Sequence, residues 1–247
     1  MEMELKSDDV HVWISYPDQI QDHALLSGYE QLLSPDEKAK KDRFHFAQHR
    51  HQYLVSRALV RTTLSRYVPY PPEKWAFSIN EHGRPEIIRS KELPPLRFNL
   101  SHTPGIVACA VVLHRDIGVD VEDMDRKVGI RQIANRYFSP SEIVALNSLS
   151  ETERRIRFFQ YWTLKESFSK AKGVGLTLPL HQFAFHQSRK GEWRISLHPA
   201  IQDDATQWQF WCLHPTPRHA LAVSVNRPAI GGDHLILRET VPPSPLG

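Results

Sequence analysis

Cysteine and long apolar runs are scarce in this sequence, and both shortages exclude classes of protein. Cys109 and Cys212, the two cysteines, lie in apolar, strand-like surroundings, which favours reduced core residues over a disulfide or a metal site. The longest uninterrupted apolar run, residues 106–113, is too short to cross a bilayer and indicates a buried strand. The first residues lack the basic-then-apolar order of a signal peptide, so we expect a cytoplasmic protein without membrane segments.

A strong charge imbalance is also missing. The formal net charge is +3 over 247 residues, and the basic excess is concentrated between Lys38 and Arg66. Such a local excess suits nucleic acid, an acidic protein or a phosphorylated small molecule, so composition does not decide among them. The length allows one large domain or two small ones.

Secondary-structure signals occur twice in the same order. Each half begins with a strand, continues with a serine-proline capping box and a long helix, and ends in strands. The capping boxes begin at Ser34 and Ser139. We therefore predict an α+β fold of two similar halves related by pseudo-two-fold symmetry, residues 1–116 and 117–228. Residues 229–247, with scattered glycine and proline, are predicted to form a partly disordered tail.

The strand signals cover the middle and the end of the chain. Residues 75–89 predict short strands around a turn at His82-Gly83-Arg84-Pro85. Strands are also predicted over 98–113 and 117–121, joined by a turn at 114–116. The later strand-like segments are 181–187, 192–197, 208–213 and 219–225, after a helix from about 154 to 172 that ends at Gly173.

The first chemically informative stretch is Ile117-Gly118-Val119-Asp120-Val121-Glu122. Residues two apart on a strand share a face, so Asp120 and Glu122 project together. Two neighbouring carboxylates repel each other unless a cation or a proton lies between them, and oxygen ligands of this kind suit magnesium. The alternative is a solvated strand end that continues into an acidic loop.

The second stretch is the helix that carries Trp162-Thr163-Leu164-Lys165-Glu166-Ser167-Phe168-Ser169-Lys170. Helical spacing predicts a buried stripe that includes Leu164 and Phe168, with Glu166 and Lys170 opposite and Lys165 on the flank. Glu166 is a candidate third magnesium carboxylate, with Lys170 on a phosphate beside it. The alternative is a surface ion pair between these two residues, which are four positions apart.

The third stretch is Asn99-Leu100-Ser101-His102-Thr103-Pro104. Ser101 and His102 are not a nucleophile and its base, because neighbours on a strand point to opposite faces. His102 is a candidate donor to a phosphate at the end of the strand; the alternative is a turn histidine with no role in catalysis.

Taken in order, these stretches resemble the Sfp-type 4'-phosphopantetheinyl transferases, the two-domain, broad-specificity branch of that superfamily. The resemblance runs from about residue 10 to about residue 226. The matching segments are Gly83-Arg84-Pro85, Phe98-Asn99-Leu100-Ser101-His102, Ile117-Gly118-Val119-Asp120, Arg136-Tyr137-Phe138-Ser139-Pro140-Ser141-Glu142, Trp162 to Lys170 and Gly173-Val174-Gly175-Leu176.

The resemblance implies a fold, a reaction and a set of roles. The 4'-phosphopantetheine arm of coenzyme A would pass to a serine of an apo acyl or peptidyl carrier protein, releasing adenosine 3',5'-bisphosphate. Asp120, Glu122 and Glu166 would hold Mg²⁺, with Mn²⁺ as an alternative. Lys170 and His102 would bind the diphosphate, and Lys165 would orient the substrate or the carboxylates.

Two roles are less well defined by the resemblance. Glu142 is the family-derived base for the serine hydroxyl, but it also occupies the third helical position of a capping box, and a metal-bound water is the other candidate. The adenosine 3'-phosphate would contact Arg84, Ser101 and Lys40. A family arginine of the second helix aligns with Gln52, so Arg50, within one turn, is the expected substitute.

Two other functions remain as alternatives. A metal-dependent phosphohydrolase would share the carboxylates but should add a second metal site, and a nucleic-acid-binding module would explain the basic segment but not the carboxylates. We expect a monomer, because two halves in one chain would complete the site. With a net charge of only +3, we also expect that the protein binds no nucleic acid. The sequence leaves open which carrier proteins and pathway are served (the two-domain length suits peptide or polyketide synthesis) and whether acyl-coenzyme A is accepted.

Overall fold

The structure is a computed structural model that describes residues 3–88, 93–227 and 233–244. The described residues of the first half form β1 (Asp9–Ser15), α1 (His23–Leu32), α2 (Pro35–Asp42), α3 (Ala47–Leu64), β2 (Phe77–Ile79), β3 (Pro85–Ile87), β4 (Leu96–Thr103) and β5 (Ile106–Leu113). Those of the second half form β6 (Ile117–Asp123), α4 (Ile130–Tyr137), α5 (Pro140–Asn147), α6 (Glu151–Lys172), β7 (Phe183–Gln187), β8 (Trp193–Leu197), β9 (Trp208–Thr216) and β10 (His219–Asn226). A last strand, β11 (His234–Glu239), follows.

The two halves repeat one topology. In each half the first strand pairs with the last strand, and the last strand pairs with the one before it, giving the antiparallel orders β1-β5-β4 and β6-β10-β9. Each half also contains a separate hairpin, β2-β3 or β7-β8, after its longest helix. The predicted α+β class is confirmed, and the shared order of elements is what two similar halves require.

The core lies mainly between the two sheets and under α6. Valine, isoleucine and alanine side chains of β1 and β5 pack against those of β6 and β10, which joins the halves through one apolar layer. Beneath α6, aromatic side chains of the helix meet those of β7 and β9. None of the described helices combines the length and the apolarity that crossing a bilayer requires.

Both predicted capping boxes form. The side chains of Ser34 and Ser139 accept from the backbone N–H of Glu37 and Glu142, whose carboxylates accept from the serine N–H in return. The long helix α6 begins with a third box, at Ser150, and ends at Gly173, whose positive φ of 71° favours glycine.

Two details of the strand prediction were wrong. Residues 98–113, predicted as one strand, form β4 and β5, because the chain reverses at Pro104-Gly105, where Gly105 has φ 86°. Part of the predicted tail is β11, which pairs in parallel with β1 and is held by an ion pair between Asp233 and Arg115. Scattered glycine and proline concealed this strand, since its pairing partner is more than 200 positions away. Residues 228–232 and 245–247 lie outside the described part.

Candidate active site

The site is built where α6 crosses β6, and Gly118 permits that crossing. A Cβ atom at Gly118 would lie 1.9 Å from the backbone oxygen of Ser167 and 2.5 Å from the nitrogen of Ala171. Only glycine allows the helix to approach the strand so closely. The contact brings the side chain of Asp120, on the strand, next to those of Glu166 and Lys170, on the helix.

Asp120 is the centre of the polar network. It is 5% exposed, and its Oδ1 accepts from Lys170 Nζ at 2.7 Å and from Ser101 Oγ at 3.0 Å. The Ser101 hydroxyl in turn accepts from Lys170 Nζ at 2.9 Å and from the backbone N–H of Val121 at 3.2 Å. The other oxygen of Asp120, Oδ2, is buried and accepts no hydrogen bond from any described residue.

Glu122 and Glu166 complete the acidic group. Glu122 accepts from Trp162 Nε1 at 3.0 Å and pairs with Arg126 at 3.2 Å. Burial, and then the negative charge of Asp120, raise the pKa of Glu122 to about 7, and the same two causes raise the pKa of Glu166 to about 7. Oε1 of Glu166 is buried without a hydrogen-bond partner among the described residues.

These carboxylates fit a divalent cation. Buried carboxylate oxygens without partners are costly, and mutual repulsion adds to that cost until positive charge is supplied. Magnesium prefers such oxygen ligands. The ligating oxygens of Asp120, Glu122 and Glu166 do not all lie within 4.8 Å of one another, and Lys170 pairs with Asp120 among them. Among the described residues, the group that meets this distance is Asp8, Asp9 and His234, at the β1–β11 edge.

Positive side chains lie beside the carboxylates. Lys170 Nζ also approaches the backbone oxygen of Val119, at 3.3 Å. His102 is an exposed residue, but partial burial of its ring lowers its pKa below 6.5, and the nearby charge of Lys170 lowers it further. His49 and Lys40 lower the pKa of His102 as well, so α2 and α3 bring positive charge towards the same place.

A cavity of about 610 Å³ opens at this network. Glu166 and Lys170 line it, and its opposite wall is formed by the loop that contains Gly83. The wall is completed by Asn99 and by Gly173 at the end of α6. A half-open space of this size, lined by one carboxylate and a lysine, is a typical site for a small organic substrate.

Arg84 was predicted to bind a phosphate, but its terminal nitrogens are used within the protein. Nη1 donates to the backbone oxygens of Lys170 and Ala171, both at 2.8 Å, and Nη2 donates to that of Ile117 at 3.1 Å. The residue lines the cavity, yet its guanidinium ties the end of α6 to the start of β6. Its Nε has no hydrogen-bond partner among the described residues, and the phosphate contact stays a prediction.

Lys165 and Glu142 are not brought to the cavity, which corrects two predictions. They form a 2.8 Å ion pair in which the lysine side chain is 0% exposed and the glutamate side chain 1%. Lys165 also donates to the backbone oxygens of Leu180 and Phe183, and burial lowers its pKa to about 8. A carboxylate so enclosed has no open path to a hydroxyl on another protein.

The remaining predicted residues lie around the cavity or hold loops. Lys40 is exposed, with Nζ 5.8 Å from the centre of the Tyr53 ring. Arg50 Nη1 donates to the backbone oxygens of Phe44 and His45, so one of its amino groups holds that loop. The Gln52 side chain donates to the backbone oxygen of Thr103 at 2.6 Å, which fixes the end of β4 to α3.

Two residues of the network had no role predicted from the sequence. Trp162 donates to Glu122, and it precedes Glu166 by one helical turn, so helical spacing alone indicated a common face. The side-chain oxygen of Asn99 accepts from the backbone N–H of Val119 at 2.9 Å, which joins β4 to β6 across the cavity floor. No local pattern predicts that contact, because it depends on how the halves meet.

Comparison with known proteins bears on this site. A sequence model of the 4'-phosphopantetheinyl transferase superfamily matches residues 116–224, and one described as 4'-phosphopantetheinyl transferase, N-terminal, matches residues 21–114. The chain is 32% identical to the 4'-phosphopantetheinyl transferase HetI of Nostoc sp. over 224 residues, which cover 90% of this chain and 89% of that protein. It is 34% identical over 166 residues to the 4'-phosphopantetheinyl transferase Sfp of Bacillus subtilis, covering 67% and 71%.

Solved structures also resemble the chain over part of its length. A holo-(acyl-carrier-protein) synthase from Bacillus anthracis, in complex with CoA (3',5'-ADP), aligns with a TM-score of 0.39 and 17% identity, over 45% of this chain and 95% of that one.

The chain belongs to the 4'-phosphopantetheinyl transferase superfamily. Within it the chain is of the Sfp type, so the resemblance inferred from the motifs is confirmed. The protein is thus a transferase of the 4'-phosphopantetheinyl group, which excludes the phosphohydrolase and nucleic-acid-binding alternatives as its main function.

Proposed function

We propose that this chain transfers the 4'-phosphopantetheine arm of coenzyme A to a serine of an apo acyl or peptidyl carrier protein, with Mg²⁺ held by Asp120, Glu122 and Glu166. The supporting observation is the set of three neighbouring carboxylates beside Lys170, two of which have a buried oxygen without a partner among the described residues. Glu166 and Lys170 line the cavity. Mn²⁺, which prefers similar oxygen ligands, would be accepted in its place.

The side chains around the carboxylates each have a defined role in this proposal. When bound, the metal supplies the positive charge that polarises the diphosphate and stabilises the charge developing on it. Lys170 shifts from Asp120 to the diphosphate oxygens, and His102 donates a second hydrogen bond from the end of β4. Ser101 holds Asp120 in place, and Trp162 does the same for Glu122.

The proton of the serine hydroxyl would pass to a water molecule in the cavity rather than to Glu142. Glu142 is saturated: one oxygen accepts from the N–H of Phe185 at 2.9 Å, and the other accepts from Ser139 and from Lys165. We assign Glu142 to the packing of α5 against α6, so its replacement should act first on stability.

The site is formed by β4, β6 and α6 of a single chain, and the proposal therefore includes a monomer. A cytoplasmic location is a separate part of the proposal. Within the basic segment from Lys38 to Arg66, the exposed cations Lys38, Lys40 and Arg43 offer carrier proteins with acidic surroundings a complementary surface, whereas Arg57 and Arg61 are buried.

Mass spectrometry of a purified apo carrier protein tests the proposal directly. Incubated with coenzyme A, Mg²⁺ and this protein, the carrier should gain the mass of one phosphopantetheine arm. The gain should disappear with EDTA and with Glu166→Ala, and should persist with Glu192→Ala, a matched control because Glu192 is exposed in the distant β7–β8 hairpin.

Carriers from fatty-acid, polyketide and peptide synthesis should be tried in parallel, because the sequence does not choose among them. Absence of any gain together with absence of coenzyme A binding would contradict the proposal. Transfer that persists unchanged in EDTA would contradict the role of the metal alone.

A further inference from the structure

The outer edge of the first sheet carries a group of side chains that the transferase site does not use. The strand β11 pairs in parallel with β1, and the register places His234 beside Asp9. His11 follows Asp9 by two positions, so its side chain lies on the same face of β1. Among the described residues that line the active-site cavity, none belongs to this group. We call it the edge site; its members are Asp8, Asp9, His11 and His234.

Three members of the edge site already converge. One ligating atom from each of Asp8, Asp9 and His234 lies within 4.8 Å of the others. Nδ1 of His234 is 3.3 Å from Oδ2 of Asp8, and the His234 side chain is 69% exposed, so it is free to rotate towards the carboxylates. Two bonds of about 2.0–2.2 Å to a shared ion require ligand atoms about 3–4 Å apart. The adjustment that an ion would require is therefore small.

The fourth member, His11, directs a buried nitrogen into the same space. His11 is 2% exposed, and its Nε2 has no hydrogen-bond partner among the described residues. That nitrogen lies 3.8 Å from Oδ2 of Asp9, which is too far for a hydrogen bond but within the span of two bonds to one ion. A buried polar atom without a partner is destabilising, and an ion bound between these two atoms would remove that penalty.

Contacts outside the edge site hold two of its members in place. Nδ1 of His11 is 2.9 Å from the hydroxyl of Tyr67, and the same hydroxyl accepts from Trp13 Nε1 at 2.7 Å. A histidine that binds a metal through one ring nitrogen ordinarily has a hydrogen bond at the other, which fixes the direction of the ring. Asp9 is held by the backbone N–H of Lys6, which donates to Oδ2 at 3.0 Å.

The charges and the ligand types indicate the kind of ion. Burial lowers the pKa of His11, and the charge of Arg238 lowers it further, against the opposing effect of Asp9. The ring is thus neutral near pH 7 and can offer a lone pair. Arg115 donates to the backbone oxygen of Asp9, but its charge is paired with Asp233 and not with the edge site. Two imidazoles with two carboxylates suit Zn²⁺ and related first-row ions, whereas Mg²⁺ prefers oxygen ligands alone.

We propose that the edge site binds one divalent transition-metal ion, for which Zn²⁺ is the probe, and that this ion fastens β11 to β1. The strand β11 is at the end of its sheet, and four of its six residues are exposed, so little apolar packing holds it. The ion would connect positions more than 200 residues apart, and a link that closes a long loop restricts the unfolded chain most. The inference is independent of the proposed function, because no substrate takes part.

Titration calorimetry of the full chain with Zn²⁺ tests the site. The protein should carry no histidine tag, and excess Mg²⁺ should be present to saturate the proposed magnesium site. The wild type should bind one Zn²⁺ with a dissociation constant of about 1 μM or tighter. His234→Ala and Asp9→Asn should each weaken binding by at least the loss known for residues that orient metal ligands, about tenfold to a hundredfold. Asp9→Asn keeps an oxygen that can accept from Lys6, so the local fold should be retained.

Two control variants exclude other places for the ion. His45 and His49 are exposed on either side of the Phe46 ring and can bind Zn²⁺ without a built site. His49→Ala should leave the affinity unchanged, and so should Glu166→Gln, which removes a ligand of the proposed magnesium site. X-ray absorption of the Zn²⁺-loaded wild type should show two imidazole ligands, as His11 and His234 require.

Hydrogen exchange of the backbone amides of β11 tests the second half of the proposal. An ion that binds only the paired strand suppresses its opening by the factor 1 + [Zn²⁺]/Kd. At about one hundred times the dissociation constant, Zn²⁺ should therefore slow exchange in β11 by up to about a hundredfold. The slowing should be lost in His234→Ala. Exchange in the β7–β8 hairpin, which belongs to the other half, should not change.

The contrary outcomes are distinct. A wild type that binds no Zn²⁺ would overturn the inference. Binding that is unchanged in both His234→Ala and Asp9→Asn, or that is lost in His49→Ala, would place the ion elsewhere and overturn it as well. A single imidazole ligand would exclude His11 from the site, and binding without slower exchange in β11 would refute the fastening of the strand. None of these results bears on phosphopantetheine transfer, so the proposed function stands or fails by its own experiment.

Discussion

Two lysines of α6, five residues apart, each form an ion pair with a carboxylate of another element. The two pairs have nearly the same nitrogen–oxygen distance but differ in burial and in hydrogen bonding. Lys165 lies 2.8 Å from Glu142, and Lys170 lies 2.7 Å from Asp120. The first lysine side chain is 0% exposed and the second is 28% exposed. The first pair joins α6 to α5 and the β7 segment, whereas the second faces the cavity.

The decisive difference is whether all the carboxylate oxygens at each pair have hydrogen-bond partners. Every oxygen of Glu142 accepts at least one hydrogen bond, and Lys165 Nζ has three acceptors. At the other pair, Asp120 Oδ2 and Glu166 Oε1 have no partner among the described residues. A short ion pair therefore does not by itself indicate a functional site; unused bonding capacity beside it does.

The largest effect is expected from breaking the saturated pair. Lys165→Met leaves Glu142 buried without its cation, which should lower the free energy of unfolding by about 3–5 kcal/mol. Urea denaturation followed by tryptophan fluorescence measures the change. The double variant Lys165→Met, Glu142→Leu should recover much of the loss. A single variant as stable as the wild type would refute the purely structural assignment of this pair.

Beside the Lys170–Asp120 pair, substitution of Glu166 should change transferase activity rather than stability. Glu166→Gln keeps the shape but removes a charge that the proposed metal site requires, so transfer should fall by about a hundredfold or more. The free energy of unfolding should stay level or rise, because a repulsive buried charge is lost. Glu192→Gln, on the exposed hairpin, is the control. If Glu166→Gln lowered the free energy of unfolding but left transfer per folded molecule normal, Glu166 would support the fold rather than the reaction.

The sequence contained enough to find the second pair but not to interpret the first. Asp120, Glu122, Glu166 and Lys170 were placed by strand and helix periodicity together with the resemblance. Lys165 was expected on the flank of α6. It is buried because α5 and the segment before β7 close over it, contacts between elements that helical spacing does not contain.

The choice of ion-pair partner was likewise not a local property. Spacing along the helix suggested a pair between Glu166 and Lys170, but Lys170 lies on Asp120 of β6. Arg84 shows the same limit, since its motif indicated a phosphate while its guanidinium binds the backbone oxygens at the helix end. Sequence patterns located these residues, and tertiary packing determined their partners.

The acidic group also predicts a pH dependence for metal binding. The pKa of Glu122 and that of Glu166 are each raised from 4.5 to about 7, so protons compete with the metal below neutral pH. Apparent affinity for Mg²⁺ should fall about tenfold per pH unit for each proton displaced. Without metal, these groups favour the folded state at low pH, and that contribution is lost as the pH rises through about 7.

The increase in melting temperature caused by Mg²⁺, measured at about pH 6 and about pH 8, tests this dependence. It should be larger at the higher pH and should vanish in Glu166→Gln at both. An increase of equal size at both values in the wild type would show that protons do not compete at these carboxylates.

The smallest effect on stability and activity is expected for substitution of Ser101. It decides whether this residue supports the fold, as the Lys165–Glu142 pair does, or serves the site at the Lys170–Asp120 pair. Its hydroxyl donates to Asp120 and accepts from Lys170 and from the N–H of Val121, so it resembles the saturated pair in bonding but lies at the unsaturated one. Ser101→Ala should cost about 1 kcal/mol of unfolding free energy, the value of an ordinary hydrogen bond, because water from the cavity can reach the vacated position.

If Ser101 positions Asp120 for the metal, Ser101→Ala should in addition raise the Mg²⁺ concentration needed for half-maximal transfer, by about fivefold to tenfold, at the lower end of the range for residues that orient metal ligands. Ser148→Ala removes a comparable hydroxyl at the exposed end of α5 and should change neither quantity. A loss of stability with an unchanged Mg²⁺ requirement would class Ser101 with Lys165 and Glu142 as support for the fold, and would leave Asp120 positioned by Lys170 alone.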